Sequence, residues 1–489
     1  MPVSLHKRQY RVDKLGIISQ QMAGYAGAKV FARELVQNAD DAKAEWIEFH
    51  FTSKYLAVKN SSSFSEDDFS AICTIASGNK RSDEETIGKW GTGFLTVFQL
   101  TDFPELHSSG IKLNFDLTKD EIDEEISSIT DSTEFYFPWR REDTEVSERL
   151  GVDLWTDERI RKFEEEIFSN FYALLPFLRH INQISIYKNK NLLYQISRKL
   201  ISKEELINNS IRERWEFIFY DRKQGTVSDE WIFYHGELDQ KFIFKGKKIK
   251  SRSISFGYMC NKSTSSNNMK GILYNFLPTD VYTNFSFHIN GDFFPDANRN
   301  SILLDHSVQS DWNRIVIQGI AKLFSENLEY LREENSTPEA FYRLFPVEYN
   351  NNFPLLKLIT EQFRKEAKKT RIIKTTDGKW TVPGNVYLPC DKEIRSMIED
   401  YLSDIAPDNI PFYIKNFFSN DFKLFSLKHY MQYLRNEVKD RVEISSAPPI
   451  INTHEKIDNV FRYLSGELNK QRTESEKTRL LSCLDEVPL

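Results

Sequence analysis

The stretch FARELVQNADDA, residues 31–42, constrains this chain more than any other. Phe31, Leu35 and Ala39 recur at i, i+4 and i+8, the spacing of one helical face. Glu34 and Asn38 lie one turn apart, so both side chains leave the same side of the predicted helix. An Asn inside a helix competes for backbone groups and normally costs stability, so its presence asks for a reason. A carboxylate beside a neutral amide suits a site holding a metal-bound polyphosphate and a water. The carboxylate polarises the water, and the amide oxygen ligates Mg²⁺ without adding charge. Further along, IGKWGTGF (87–94) sets Gly88, Gly91 and Gly93 just before the helical-looking run FLTVFQL. Glycines in that place let backbone N–H groups approach an anion at a helix N-terminus.

In this order and spacing the two motifs resemble the N-box and glycine-rich lid of the GHKL ATPases, which share the Bergerat fold. That superfamily includes the ninety-kilodalton heat-shock chaperones, gyrase B-type subunits, MutL-type repair proteins and sensor histidine kinases. The wording is closest to sacsin-type, chaperone-like repeats, with RELxQNAxDA, a V-x-N segment, S-x-K-R and GKFGxGF. This chain has RELVQNADDA, VKNSSSFSEDDF, SGNKR and GKWGTGF, and the resemblance spans about residues 15–330. It implies an α+β protein that binds ATP and Mg²⁺. A Bergerat-fold α/β sandwich is expected over 1–195, a strand-rich α/β middle domain over 196–345 and a mainly helical region over 346–489.

Composition bounds the remaining choices. A net charge of −7 with 28% charged residues argues against a large nonspecific nucleic-acid footprint. Cys73, Cys260, Cys390 and Cys483 form no C-x-x-C pair, which favours a reducing compartment over a structural zinc. No apolar run suits a secretion signal or a membrane span, so a soluble, cytoplasmic protein is expected. The histidines show no H-E-x-x-H spacing and no P-loop occurs. The basic runs KGKKIKSR (245–252) and RKEAKKTR (364–371) read as solvated faces. TEFYFPWR (133–140), ISIYKN, LLYQIS, WEFIFY, EWIFYHGEL, KFIFKG and SISFGYM read as strands. A long helix is expected over 157–181, and the acidic LTKDEIDEEISSITD reads as a surface connection. The final polar helical run has no closing element, which is compatible with a longer natural protein.

The resemblance assigns roles residue by residue. Glu34 matches the general base and Asn38 the Mg²⁺ ligand, whereas a bare helix pattern would make Glu34 half of a solvated pair with Arg33. Asp41 and Ala42 match positions on the adenine side of the pocket, and Asp41 equally suits a helix surface. Where most relatives carry D-x-G-x-G, with the Asp accepting the adenine amino proton, this chain has Asn60-Ser61-Ser62-Ser63-Phe64. Asn60 retains an amide oxygen that accepts, without charge assistance. Ser65 reads as a helix N-cap, with Asp67 and Asp68 in the first turn. Asn79 and Lys80 match the S-G-x-K segment, and Lys80 reaches ribose or phosphate or else is a solvated loop lysine. Gly88, Gly91, Thr92, Gly93 and Phe94 match the lid motif. Thr133 matches a strand threonine that helps close the adenine pocket, or is a plain β-former. Arg299, in LPTDVYTNFSFHINGDFFPDANRNSIL, resembles the middle-domain arginine sent to the γ-phosphate; otherwise it is a surface side chain.

The leading expectation is therefore a slow ATPase of the sacsin and heat-shock type, acting on a protein client or partner subunit and able to form a homo-oligomer. Two other readings stand beside it. One is a nucleotide-sensing or inactive scaffold, favoured by the loss of D-x-G-x-G. The other is a MutL- or MORC-like ATPase associated with nucleic acid; separately, sacsin-like ATPases resembling this chain also occur in larger, defence-associated proteins.

Overall fold

The computed structural model describes residues 13–22, 27–73, 94–119, 121–238, 242–244, 247–249, 253–260, 270–296, 300–335, 337–346, 353–389 and 410–425, with a few single positions after 390. The chain divides into two compact units, residues 1–323 and 324–489. The architecture is mixed α+β, as expected.

The first unit is built on one 14-stranded sheet. Its nucleus is the hairpin of β1 (Trp46–Phe51) and β2 (Tyr55–Asn60). β1 alternates half-buried and buried positions, placing Ile47, Phe49 and Phe51 on the core face. On one side follow β6 (Thr133–Pro138), β3 (Glu105–Ser108), β4 (Ile111–Asn114) and β5 (Asp123–Ile126). β5 falls inside the acidic segment expected to be a connection. All four of its residues are exposed, and its charges suit an edge strand that must not pair with another chain.

On the other side of β1 lies β7 (Gln183–Lys188), parallel to it with Trp46 opposite Gln183. Then come β8 (Asn191–Glu205), β9 (Ile211–Asp221) and β10 (Gly225–Glu237), a meander of strands far longer than the runs LLYQIS and WEFIFY suggest. The pair β11 (Phe242–Phe244) and β12 (Lys247–Ile249) forms a separate hairpin. The main sheet continues through β13 (Ser253–Met259), β16 (His288–Gly291), β14 (Ile272–Asn275) and β15 (Leu277–Tyr282). The boundary expected at residue 195 thus falls within β8, and the same sheet runs through it.

Helices α1 (Lys14–Met22), α2 (Ala28–Asp41), α3 (Glu66–Ile72), α4 (Glu145–Leu150) and α5 (Asp157–Asn170) belong to the first part of the unit. Phe31 of α2 meets Phe137 and Phe163 at ring-centroid distances of 5.7 and 5.6 Å, joining α2, β6 and α5 in one aromatic core. The helix expected over 157–181 ends at Asn170 and passes into a 3₁₀ turn at Phe171–Ala173. Pro176 follows, and a proline has no N–H with which to continue the ladder. The run FLTVFQL likewise forms a short 3₁₀ helix, Phe94–Gln99.

That 3₁₀ helix is held from behind by Arg140. Its guanidinium donates to the carbonyls of Phe98 (2.7 Å) and Gln99 (3.3 Å) and to Asp102 (2.8 Å from Nε), with both ionic side chains almost fully buried. At the far end of the sheet, α6 (Val308–Glu326) lies close enough that glycine is required. A Cβ at Gly319 would sit 2.1 Å from a Leu238 methyl, and one at Gly291 would sit 2.5 Å from Val316. Phe276, between β14 and β15, adopts a left-handed φ of 62°, and its N–H is held by the Asn290 amide oxygen at 2.8 Å.

The second unit contains α7 (Leu328–Glu334), α8 (Pro338–Tyr342), α9 (Pro354–Ala367) and α10 (Phe412–Phe417). Phe345 packs among Phe324, Phe341, Phe417 and Phe418, and Asp421 accepts from Arg364 at 2.8 Å and Lys368 at 3.2 Å. The strand-turn interruption in RIIKTTDGKWTVPGNVYL is the hairpin of β17 (Ile373–Lys374) and β18 (Trp380–Thr381), turned through Gly378 at φ 84°. β19 (Tyr387–Pro389) pairs in parallel with β20 (Lys423–Phe425).

Three expectations for stability arise from these contacts. Arg140→Ala leaves Asp102 buried without its partner, so a loss of about 3–5 kcal/mol is expected in urea unfolding. Arg149→Ala breaks only the exposed pair with Asp13 and should cost under about 1 kcal/mol. His288 is fully buried, accepts the Ile272 N–H at 2.9 Å, and has its pKa pushed down to about 3 by burial. The unfolded chain binds that proton near pH 6.5, so His288 favours folding fully above pH 6.5 and progressively less as pH falls toward 3. Acid titration of thermal stability should show this slope, and His288→Gln should flatten it.

Candidate functional site

The site begins with how α2 is anchored. Ten of its fourteen residues are buried, among them Glu34, Gln37, Asn38 and Asp40, so the polar ones must be placed by specific partners. At its N-terminus the Gly27 N–H donates to the Gln99 amide oxygen at 2.9 Å, tying α2 to the 3₁₀ helix that follows the glycine motif. At its C-terminus the Asp40 carboxylate accepts three successive backbone N–H groups, from Arg179 (3.1 Å), His180 (2.8 Å) and Ile181 (3.0 Å). Of the paired acids in NADDA, Asp40 is thus the one fully committed to structure. Asp41 is half-buried and does not line the cleft described next.

Between α2 and the sheet lies a narrow cleft lined by Leu35, Asn38, Ala39, Ala42, Ile47, Val58, Asn60, Ser62, Phe64 and Phe135. Asn38, Ala42 and Asn60, all expected at the site, therefore meet there. Glu34 is buried one turn away on the same helix but does not line it. Phe94 and Thr133 are buried nearby, Phe94 against Phe135 at 5.9 Å. The open interior is only about 10 Å³, room for one water, so a larger ligand enters by parting the walls. Asn79, Lys80, Gly88, Gly91, Thr92, Gly93 and Arg299 lie outside the described residues.

The polar floor of the cleft follows from strand register. Asn60 pairs with Thr133, and Thr133 pairs with Ser108, so these three side chains form one cross-strand row. The loop after Asn60 is then bound to that row by hydroxyls. Thr133 Oγ1 donates to the Ser62 carbonyl at 2.7 Å, Ser108 Oγ lies 2.9 Å from Thr133 Oγ1, and the Phe64 N–H donates to Ser108 Oγ at 2.9 Å. Ser61 Oγ accepts the Glu45 N–H at 2.7 Å, and Ser63 Oγ donates to the Thr130 carbonyl at 3.1 Å. Serines here perform the loop-shaping that glycines perform in D-x-G-x-G. Thr133 is therefore more than a β-former, because its hydroxyl pins the loop.

Asn60 itself departs from expectation. Its Oδ1 already accepts the Ser62 N–H at 3.0 Å and the Ser62 hydroxyl at 2.6 Å, which fills both lone pairs. The amide oxygen is thus engaged within the loop. Ser62 and Ser108 went unnoticed in the sequence, although Asn-x-Ser carries the signature of a side chain bonding its backbone two residues on. Ser65 behaves as expected: it caps α3 in a capping box with Asp68.

Asp280, within β15, reaches α2. Its carboxylate lies 3.2 Å from Arg33, the residue before Glu34, and its N–H donates to the Asn300 carbonyl at 2.8 Å. The chain immediately following Arg299 is thereby tied to the helix that carries Glu34.

A buried carboxylate and a cleft-lining amide offer hard oxygen donors with little charge, which fits Mg²⁺ held mainly by a ligand's phosphates. Among the described residues no group of three or more His, Cys, Asp or Glu side chains is arranged to hold a metal, and no helix is long and apolar enough to cross a membrane. Cys73 and Cys260 are both free thiols.

Comparison with known proteins locates this architecture. Residues 13–127 match the family described as the sacsin domain. The chain is 25% identical over 436 residues to Protein NO VEIN of Arabidopsis thaliana, covering 81% of this chain and 15% of that protein. It is also 25% identical over 402 residues to human Sacsin, covering 65% of this chain and 9% of that protein. It therefore spans only a small part of either relative. Among solved structures, the MutL ATPase domain of Aquifex aeolicus aligns with a TM-score of 0.28 at 10% identity, over 59% of this chain and 96% of that one. The B-subunit of DNA gyrase from Myxococcus xanthus aligns with a TM-score of 0.34 at 9% identity, over 67% and 99%. The sacsin-domain match lies in residues 13–127, and the chain is similar beyond it to two sacsin-type relatives.

Proposed function

We propose that this protein binds a Mg²⁺-nucleoside triphosphate, ATP by family resemblance, in the cleft beside α2 and hydrolyses it slowly. The observation that carries the reading is the pair on α2: a buried Glu34 and, one turn on, Asn38 lining a cleft whose walls are mostly apolar side chains. Bound Mg²⁺ would neutralise charge on the phosphate oxygens. Asn38 would hold it through Oδ1, and Glu34 would orient a water and take its proton on a carboxylate oxygen. Asn79 and Lys80 would contact ribose or phosphate, and Gly88, Gly91, Thr92, Gly93 and Phe94 would form the lid.

Arg299 would stabilise charge on the transferred phosphoryl group. The tie from Asn300 through Asp280 to Arg33 supports this, since it keeps the arginine's neighbour beside the catalytic helix. The sheet shared by the two expected domains suggests that the useful output is a coupled movement within the first unit, passed to a protein client or partner subunit.

The test is nucleotide binding and phosphate release for the full chain and three variants. Glu34→Ala should keep affinity and lose turnover by roughly a hundredfold or more. Asn38→Ala should lose the Mg²⁺-dependent part of binding. Arg299→Ala should lower turnover on the order of a thousandfold with affinity little changed. Normal hydrolysis by Glu34→Ala would sink the assignment of the base.

A further inference from the structure

The cleft is a slot with apolar walls, formed by Leu35, Ala39, Ala42, Ile47, Val58, Phe64 and Phe135, into which the buried amides of Asn38 on α2 and Asn60 on β2, with Ser62, are set. Such walls suit a flat heterocycle, and the few polar atoms present decide which one. Asn60 is 95% buried, with a residual exposure of 5%. Its orientation is settled by chemistry: a backbone N–H can only donate, so the atom 3.0 Å from the Ser62 nitrogen is the amide oxygen. The Ser62 hydroxyl occupies that oxygen's second lone pair. Of the two polar atoms of the Asn60 amide, the one left to meet a ligand is Nδ2, a donor, which has no hydrogen-bond partner among the described residues; the Asn38 amide, across the cleft on α2, is the group proposed above for Mg²⁺.

We infer that Asn60, with its oxygen locked by Ser62, makes this cleft select a purine triphosphate carrying a carbonyl at C6, such as GTP or ITP, over ATP. The inference rests on the nucleotide-binding reading above and specifies the substrate class of the same site. An amino group at C6 is itself a donor. Placed against Nδ2, it forms no bond and leaves two buried donors facing each other. A C6 carbonyl accepts from Nδ2 with both Ser62 bonds to the Asn60 oxygen intact. An aspartate at the same position behaves differently. One of its oxygens would keep both Ser62 bonds, and the other would accept from an amino group. Ser62 is thus a positioning residue: it turns an amide capable of either role into a donor.

Titration calorimetry with Mg²⁺ and ATP, GTP, ITP or UTP separates the possibilities on the full chain. GTP and ITP should bind about tenfold more tightly than ATP, the factor that one satisfied rather than mismatched hydrogen bond confers. Asn60→Asp should reverse the order in favour of ATP. Tighter binding of ATP by the wild type would overturn the inference and leave the proposed function standing. Equal binding of all four, UTP included, would also overturn it, since the base would then be unread. Binding of none would overturn the nucleotide reading and this inference with it. The wild-type ranking decides the matter even if Asn60→Asp fails to fold.

Discussion

The Asp40 carboxylate is the joint on which the site depends. Three consecutive backbone N–H groups converge on it from residues 179–181, immediately before β7. Of the three donors, the Ile181 N–H is buried and would otherwise be left without a partner, a cost of about 1–3 kcal/mol. Because β7 pairs in parallel with β1, the contact fixes the C-terminal end of α2 against the middle of the sheet. Half-buried Arg198 braces the same stretch, donating to the carbonyls of Leu175 and Leu178, and desolvation lowers its pKa to about 10. Glu34 and Asn38 inherit their positions from this joint, since a helix clamped at its last turn and at Gly27 has little freedom to rotate.

The opposite wall of the cleft is held by a different kind of contact. Hydroxyls of Ser61, Ser62, Ser63, Ser108, Ser109 and Thr133 each bond backbone or side-chain groups of the loop after β2 or of its neighbours. A glycine loop reaches its shape through backbone freedom; this one reaches it through side-chain hydrogen bonds. The consequence is chemical as well as geometric. Asn60 loses its acceptor to the loop, so the group facing the cleft carries the opposite hydrogen-bonding sense from an aspartate.

The α2 helix, the capped helix at Ser65 and most of the strands were legible because each depends on local pattern: a 3.6-residue repeat, a Ser followed three residues later by an acid, alternating β-formers. Lengths were less so. The helix from Asp157 was expected to run past Pro176, and LLYQIS gave no hint that its strand extends through RKLISKEE to Glu205. Strand pairing extends a polar, exposed segment that has no hydrophobic alternation of its own, since the neighbouring strand supplies the ladder. The sheet's continuity across residue 195 was hidden for the same reason.

By itself the sequence determined that an acid and an amide share one helical face, that glycines follow, and that the assembly is sacsin-like, because spacing along a helix is a local property. Which aspartate of NADDA anchors the helix, how the serines close the loop and which atom of Asn60 meets the cleft were decided only by tertiary structure. The first two depend on groups some 40 to 140 residues away in the chain, and such pairings leave no trace in local periodicity; the third depends on Ser62, only two residues on, in a loop that those distant groups hold in place.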